Sequence, residues 1–330
     1  ATSLRHAMIQ RANRWRTVPQ IFIDGVHVGG YADMAALERP GQHDPLLASP
    51  IVVRVAALQM NSGTEPEANL DALETLAQEA ASQGAAYALS PEVTVVFAEN
   101  REGLAAVAGP WENNAAIGRC RGIARDTGLT LHLGSLAVAL PDGRFANRSV
   151  VFAPDGEIAA TYDKIHLFDA TLPGLRQYRE GDTYAGGDEA VVTEAAGLRL
   201  GLTICYDVRF PALHRTLAEA GADLIAVPAA FTVPTGEAHW EVLLRARAIE
   251  TGCYVIAAAQ AGHHQNGRST WGHSMIIDPW GKILGQLDGQ TPGVLVADID
   301  PNAVAEARGR VPALANARTF SLSVNPTGAS

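Results

Sequence analysis

Cys205, Glu92 and Lys164 each follow closely on an apolar, strand-like run, and together they offer a thiol, a carboxylate and an ammonium. Such a trio can split an amide: the thiol attacks, the carboxylate takes its proton, and the ammonium holds the oxyanion. The segment 197–211 (GLRLGLTICYDVRFP) is the most telling, because an apolar strand ends at Cys205 and Pro211 suits the first turn of a helix. A thiol at that bend lies near unpaired helix N–H groups, which favours thiolate and later an oxyanion. Each residue alone has a plainer reading. A free cysteine is commonly a buried structural thiol, a lone lysine a solvated charge, and an acid after a strand often faces water.

Bringing three such residues together requires strands that end side by side, and residues 51–325 supply them twice. A helix followed by a strand at 84–91 (GAAYALSP) recurs at 221–228 (GADLIAVP), and Thr127-Gly128 before an apolar run recurs as Thr251-Gly252. The strand–turn–strand 149–158 (SVVFAPDGEI) recurs as 274–283 (SMIIDPWGKI). Each half therefore reads strand, helix, strand, helix, strand, strand, strand. The Pro-x-Gly turns make neighbouring strands antiparallel, and helices are expected near Ala68–Gln83, Glu112–Arg125, Pro211–Ala220 and Ala238–Glu250. This pattern predicts an α/β fold, a four-layer α-β-β-α sandwich with an internal pseudo-twofold repeat.

Composition narrows the class. Apolar residues make up 47% of the chain and charged ones 18%, as in ordinary globular enzymes. A net charge of −10 argues against nucleic acid or an anionic membrane as partner, and no apolar run reaches the ~18–20 residues of a membrane span. Cys120, Cys205 and Cys253 follow no C-x-x-C spacing, so reduced thiols and a cytoplasmic location are expected. His263, His264 and His273 gather around Gly267-Arg268, but their spacing matches no helical ligand pair, and no metal or other cofactor is expected.

Residues 53–325 resemble the carbon–nitrogen hydrolase (nitrilase) superfamily. The resemblance is carried by Pro91-Glu92, by Lys164–Asp169 (KIHLFD) and by Cys205–Pro211 (CYDVRFP), in that order. It implies the nitrilase fold, Glu92 as base, Lys164 as oxyanion partner with the backbone N–H of Tyr206, and Cys205 as nucleophile forming a thioester. It also implies a second acid between Lys and Cys, placed at Glu180, ahead of Gly187-Asp188. The runs 229–232 (AAFT), 236–250 (GEAHWEVLLRARAIE) and 272–281 (GHSMIIDPWG) look like the branch called deaminated glutathione amidases. That branch implies a small carboxylated amide as substrate, bound by Arg209 and Thr232, and a homodimer or larger assembly. An ω-amidase, an N-carbamoyl hydrolase and a nitrilase are alternatives on the same fold.

The beginning of the chain reads as a separate piece over 1–47, with 48–52 as linker and 53–325 as the hydrolase domain. A helix over Leu4–Arg14, strands at Val18–Asp24 and Val26–Val28, and a short helix at Asp33–Arg39 are expected. Arg5, Arg11, Arg14 and Arg16 precede the first acid, Asp24, superficially like a presequence, and an opening Ala1 fits a processed or truncated start. Residues 17–30 (TVPQIFIDGVHVGG) resemble the C-terminal half of a glutaredoxin, a thioredoxin-like fragment lacking the redox cysteine. No thiol precedes Cys120, so no thiol–disulfide exchange is expected from it. It leaves one reading of a different class, a non-catalytic glutathione-related binding protein.

Overall fold

The structure, a computed structural model, describes residues 21–23, 26–29, 52–171 and 178–324. Ala1–Ile51 and Val52–Ser330 form separate compact units. In the first, β1 (Ile21–Ile23) and β2 (Val26–Gly29) pair antiparallel. The helices expected at Leu4–Arg14 and Asp33–Arg39, and the linker up to residue 51, lie outside the described residues, as does most of the glutaredoxin-like segment.

The second unit opens with β3 (Val53–Gln59), α1 (Pro66–Ser82), β4 (Tyr87–Leu89), α2 (Arg101–Val107) and α3 (Ala115–Thr127). Three long strands follow, β5 (Thr130–Ala139), β6 (Phe145–Phe152) and β7 (Ile158–Asp163), then four short ones, β8 (Asp169–Ala170), β9 (Tyr178–Arg179), β10 (Tyr184–Ala185) and β11 (Val192–Ala195). The second half contains β12 (Leu198–Leu202), α4 (Pro211–Glu219), β13 (Leu224–Ala226), α5 (Val233–Thr251) and β14 (Tyr254–Ala257). It closes with β15 (Ala261–His263), β16 (Ser269–Trp271), β17 (Met275–Ile277), β18 (Ile283–Gln286), β19 (Gly293–Ile299) and α6 (Pro301–Arg310).

One sheet runs β10-β6-β5-β4-β3-β19 with β7 also on β6, and the other runs β11-β12-β13-β14-β17-β18. Strands β3, β4 and β5 pair in parallel, as do β12, β13 and β14, and each trio continues into antiparallel strands. This is the internal repeat. The turns agree to the atom: Ala153 N–H donates to Glu157 O and Gly156 N–H to Ala153 O, while Asp278 N–H donates to Lys282 O and Gly281 N–H to Asp278 O. Both turns place glycine at φ +82°, where any side chain would strain the backbone.

Strand alternation sorts the side chains into layers. Val53, Val55, Ala57, Tyr87, Leu89 and Val151 share one core with Leu200, Leu202, Leu224 and Val255 of the other sheet. The intervening Ala56, Leu58, Ala88, Val150 and Phe152 face Leu70, Leu73, Ile117 and Ile123 of α1 and α3 instead. Leu213, Leu217, Trp240 and Leu244 of α4 and α5 cover the second sheet, which completes the α-β-β-α sandwich. Helix ends differ modestly from expectation. Helix α5 begins at Val233 rather than Ala238, because a proline in the first turn has no N–H to lose there. Helix α3 begins only at Ala115, since the Asn114 side chain accepts from Ala116 N–H and caps it, with Trp111–Asn113 as a separate 3₁₀ turn.

Two buried histidines give the fold a pH signature. His132 lies between Tyr87 Oη and Ser149 Oγ, each at 2.6 Å, and burial holds its pKa down to about 3. Burial does the same to His214, which bonds Phe210 O. Since an unfolded histidine titrates near 6.5, the unfolded chain binds more protons between that pH and 3. Stability is therefore present above pH 6.5 and falls as pH falls through the window, by roughly 2 kcal/mol per histidine at pH 5. Urea midpoints at pH 7.5 and pH 5 test this; equal midpoints would contradict it.

Candidate active site

The Pro91-Glu92 turn leaves β4 and seats against β5. It fits because Gly134 has no side chain: a Cβ there would lie 2.1 Å from Ser90 O and 2.2 Å from Pro91 O. The next residue, Val93, takes φ +53°, and its N–H donates to Ser135 Oγ at 2.9 Å. Glu92 is thus held rigidly at 5% exposure. Its Oε1 accepts from Lys164 Nζ at 2.8 Å and Asn147 Nδ2 at 3.0 Å, and its Oε2 accepts from Ala230 N–H at 3.0 Å.

Lys164 follows β7 and is 2% exposed, its backbone N–H donating to Asn147 O. Its ammonium reaches both oxygens of Glu180 at 2.9 Å as well as Glu92. Glu180 opens a 3₁₀ turn after β9, and its Oε2 also accepts from Phe168 N–H at 2.6 Å. Burial by itself would lower the lysine pKa, but the charges of Glu180 and Glu92 outweigh it and hold the group well above its usual value. The ammonium therefore stays charged.

Cys205 begins a 3₁₀ turn, Cys205–Arg209, between β12 and α4, with φ +50°, a conformation costly for a non-glycine residue and concentrated at functional sites. Its N–H donates to Pro228 O at 2.8 Å, which fixes the bend. The sequence suggested a thiolate here, and the surroundings dictate otherwise. Burial, then the adjacent Glu92 carboxylate, push the thiol pKa well above normal despite Lys164. The resting group is a thiol beside a carboxylate, an arrangement for proton transfer during attack.

Glu92, Lys164, Glu180 and Cys205 line one cavity of about 560 Å³. Tyr206 and Arg209 line it too, and the guanidinium of Arg209 lies 5.9 Å from the Tyr206 ring, 5.5 Å from the Phe231 ring and 3.3 Å from His239 Nδ1. Thr232, at the start of α5, reaches the cavity with its hydroxyl against Thr235 Oγ1 at 2.8 Å. All the residues named from sequence thus border the same space. The three histidines do not form a group: His264 is buried against Ser62 O and Thr270 Oγ1, His263 bonds Ser269, and His273 bonds Trp271 O. Among the described residues no cluster of His, Cys, Asp or Glu is arranged to hold a metal ion.

Other site residues were not foreseen. Asn147, donating to both Glu92 and Glu180, could have been noticed as an amide inside the apolar strand 145–152. The Ala230 N–H carries no signal in its side chain. The cavity wall of Val96, Phe97 and Leu104 belongs to a segment inserted only in the first half.

Stacked sheets carrying a thiol, an ammonium and two carboxylates around one cavity define a class of enzyme, the thiol-dependent amide hydrolases. Residues 54–309 match the carbon–nitrogen hydrolase family, and the chain belongs to it. A deaminated glutathione amidase of Yersinia enterocolitica is 39% identical over 270 residues, spanning 81% of this chain and 93% of that protein. The NitFhit protein of C. elegans superposes with a TM-score of 0.74 at 35% identity, over 82% of this chain and 66% of that one. An amidase from Nesterenkonia sp. AN1, captured with acrylamide added at its active-site cysteine, gives 0.65 at 30% identity, over 79% and 98%. The present chain is a cysteine-dependent amidase acting on carbon–nitrogen bonds other than peptide bonds.

Proposed function

We propose that the chain hydrolyses deaminated glutathione to α-ketoglutarate and cysteinylglycine, with Cys205 as nucleophile. Glu92 takes the Sγ proton as sulfur attacks the amide carbon, and Lys164 with the Tyr206 N–H holds the oxyanion. Tyr206 lies in the first turn of its 3₁₀ helix, where N–H groups have no intrahelical acceptor. Glu92 then passes the proton to the departing amine nitrogen, leaving a thioester on Cys205. Water, deprotonated by Glu92, attacks that thioester, and the thiol is re-formed as the acid departs. Glu180 and Asn147 keep Lys164 and Glu92 in register. The observation that carries the reading is the buried ammonium bonded to Glu92 at 2.8 Å and Glu180 at 2.9 Å beside Cys205.

The substrate follows from the relatives' names and from Arg209, a guanidinium fork suited to an acyl-chain carboxylate, with Thr232 beside it. The test compares kcat/KM for deaminated glutathione, α-ketoglutaramate, an N-carbamoyl amino acid and a simple nitrile, in wild type and Arg209→Lys. Deaminated glutathione should lead, and Arg209→Lys should lose about 10- to 100-fold on it while losing little on the nitrile. A nitrile or carbamoyl preference, or unchanged selectivity in Arg209→Lys, would reject this substrate and leave the Cys205 chemistry standing.

Assembly and location belong to the same proposal. Val242 and Ile249 are 69% and 56% exposed on α5, two apolar side chains that suit contact in a homodimer or larger assembly. Light scattering at micromolar concentration should show at least a dimer; a monomer would refute it. Cys120, Cys205 and Cys253 are all free thiols, which suits a cytoplasmic location. Among the described residues no helix is long and apolar enough to cross a membrane.

A further inference from the structure

Asp207 is a carboxylate at 0% exposure, two residues past the nucleophile, and it lies outside the cavity lining. Its oxygens accept four hydrogen bonds. Oδ2 accepts from Ile204 N–H at 2.8 Å and Tyr162 Oη at 2.7 Å; Oδ1 accepts from His166 N–H at 3.1 Å and bonds His166 Nδ1 at 2.7 Å. Its own N–H donates to Ile204 O, closing the turn that bears Cys205.

The partners are informative. Ile204 and Asp207 bracket Cys205, whereas Tyr162 and His166 bracket Lys164. Tyr162 Oη also accepts from Ile165 N–H at 3.3 Å. One carboxylate therefore ties the segment carrying the nucleophile, at the end of β12, to the segment carrying the ammonium, at the end of β7, across two different sheets. The His166 ring stacks on Phe210 at 3.5 Å and 8°, and Phe210 meets Tyr206 edge-on at 5.3 Å, so the same junction braces Tyr206, whose N–H is proposed above as an oxyanion donor.

We infer that Asp207 is a positioning residue that sets the geometry between Lys164 and Cys205, acting through His166 and Tyr162. The inference rests on the roles proposed above for Lys164 and Cys205. A fully buried carboxylate is strongly destabilising unless its hydrogen bonds are complete, and here both oxygens are doubly engaged. Loosening a single bond shifts the ammonium relative to the carbon under attack. Because oxyanion stabilisation depends steeply on donor position, the loss falls on the chemical step and not on binding. Asparagine replaces Asp207 poorly, since whichever way its amide turns, the NH₂ confronts a fixed backbone donor, the N–H of Ile204 or of His166.

The test uses the full chain as wild type, Tyr162→Phe, His166→Ala, His166→Asn and Asp207→Asn. His166 is partly exposed and Tyr162→Phe keeps its ring, so those variants carry the test should Asp207→Asn fail to fold. With whichever panel amide the wild type turns over best, His166→Ala should lower kcat about tenfold with KM within about twofold. His166→Asn, whose amide N–H can reach the point held by Nδ1, should recover kcat to within about threefold, and folded Asp207→Asn should lose about a hundredfold or more. A rise in KM with kcat preserved, His166→Asn no better than His166→Ala, or unchanged kcat in both His166→Ala and Tyr162→Phe would overturn the inference. Iodoacetamide labelling followed by mass analysis separates the two layers. If wild-type Cys205 is not alkylated ahead of Cys120 and Cys253, the assignment of the nucleophile itself fails.

Discussion

Cys205→Ala should abolish turnover, by on the order of 10⁵-fold or more, while the fold survives. No other thiol can replace the sulfur, because Cys120 and Cys253 are buried and neither lines the cavity. The change removes one heavy atom, a transfer and cavity cost of about 1 kcal/mol. Alanine tolerates φ +50° no worse than cysteine does, so the bend adds no new strain. Glu92→Gln should come close to the same loss for a different reason. It keeps an acceptor for Lys164 and Asn147 but cannot take a proton from the thiol or from water. If acylation is slowed less than deacylation, intact-mass analysis of Glu92→Gln with substrate will show an acyl adduct on Cys205. Wild-type activity in Cys205→Ala would refute the proposed mechanism. Activity in Glu92→Gln within about tenfold of wild type would move the base elsewhere.

The sequence made the layered architecture legible because each buried face is encoded in alternation. The run 53–58 sends Val53, Val55 and Ala57 to the sheet–sheet core and Ala56 and Leu58 to the helices. The repeat was legible because two Pro-x-Gly turns close with the same hydrogen bonds. The residues at the strand ends were legible only together, through the resemblance of Pro91-Glu92, Lys164–Asp169 and Cys205–Pro211 to the carbon–nitrogen hydrolase motifs; each alone had a plainer reading. Three things were not legible. The Ala230 N–H and the Asp207 junction depend on contacts between residues far apart in sequence, 138 positions for Ala230 and Glu92. The protonation state of Cys205 depends on burial and on Glu92, whereas the local bend alone argued for thiolate. Helix α2 and the wall around Phe97 sit in an insertion with no counterpart in the second half, so the repeat gave no guide to them.

Removing the cation should be more damaging to the fold than removing the nucleophile. Lys164 is the positive centre of a buried set whose other members are Glu92 and Glu180, at 7% and 14% side-chain exposure. Lys164→Met would leave two carboxylates that both lay within 2.9 Å of the lost ammonium. Asn147 Nδ2 and the N–H groups of Ala230 and Phe168 still donate to them, but these neutral donors carry no charge to offset theirs. Breaking a buried pair in this way typically costs about 3–5 kcal/mol, and the oxyanion would lose a charged donor worth at least ~10²–10³ in rate. A second substitution separates the two effects. In Lys164→Met combined with Glu180→Gln, one buried negative charge disappears with the positive one, so the urea midpoint should move back toward wild type. Activity should not recover, because the ammonium is still missing. The second substitution would therefore rescue stability while leaving turnover at the level of Lys164→Met. If the double variant were no more stable than Lys164→Met, the charge-balance account of this cluster would be wrong. If Lys164→Met alone kept kcat within about tenfold of wild type, the lysine could not be the oxyanion partner.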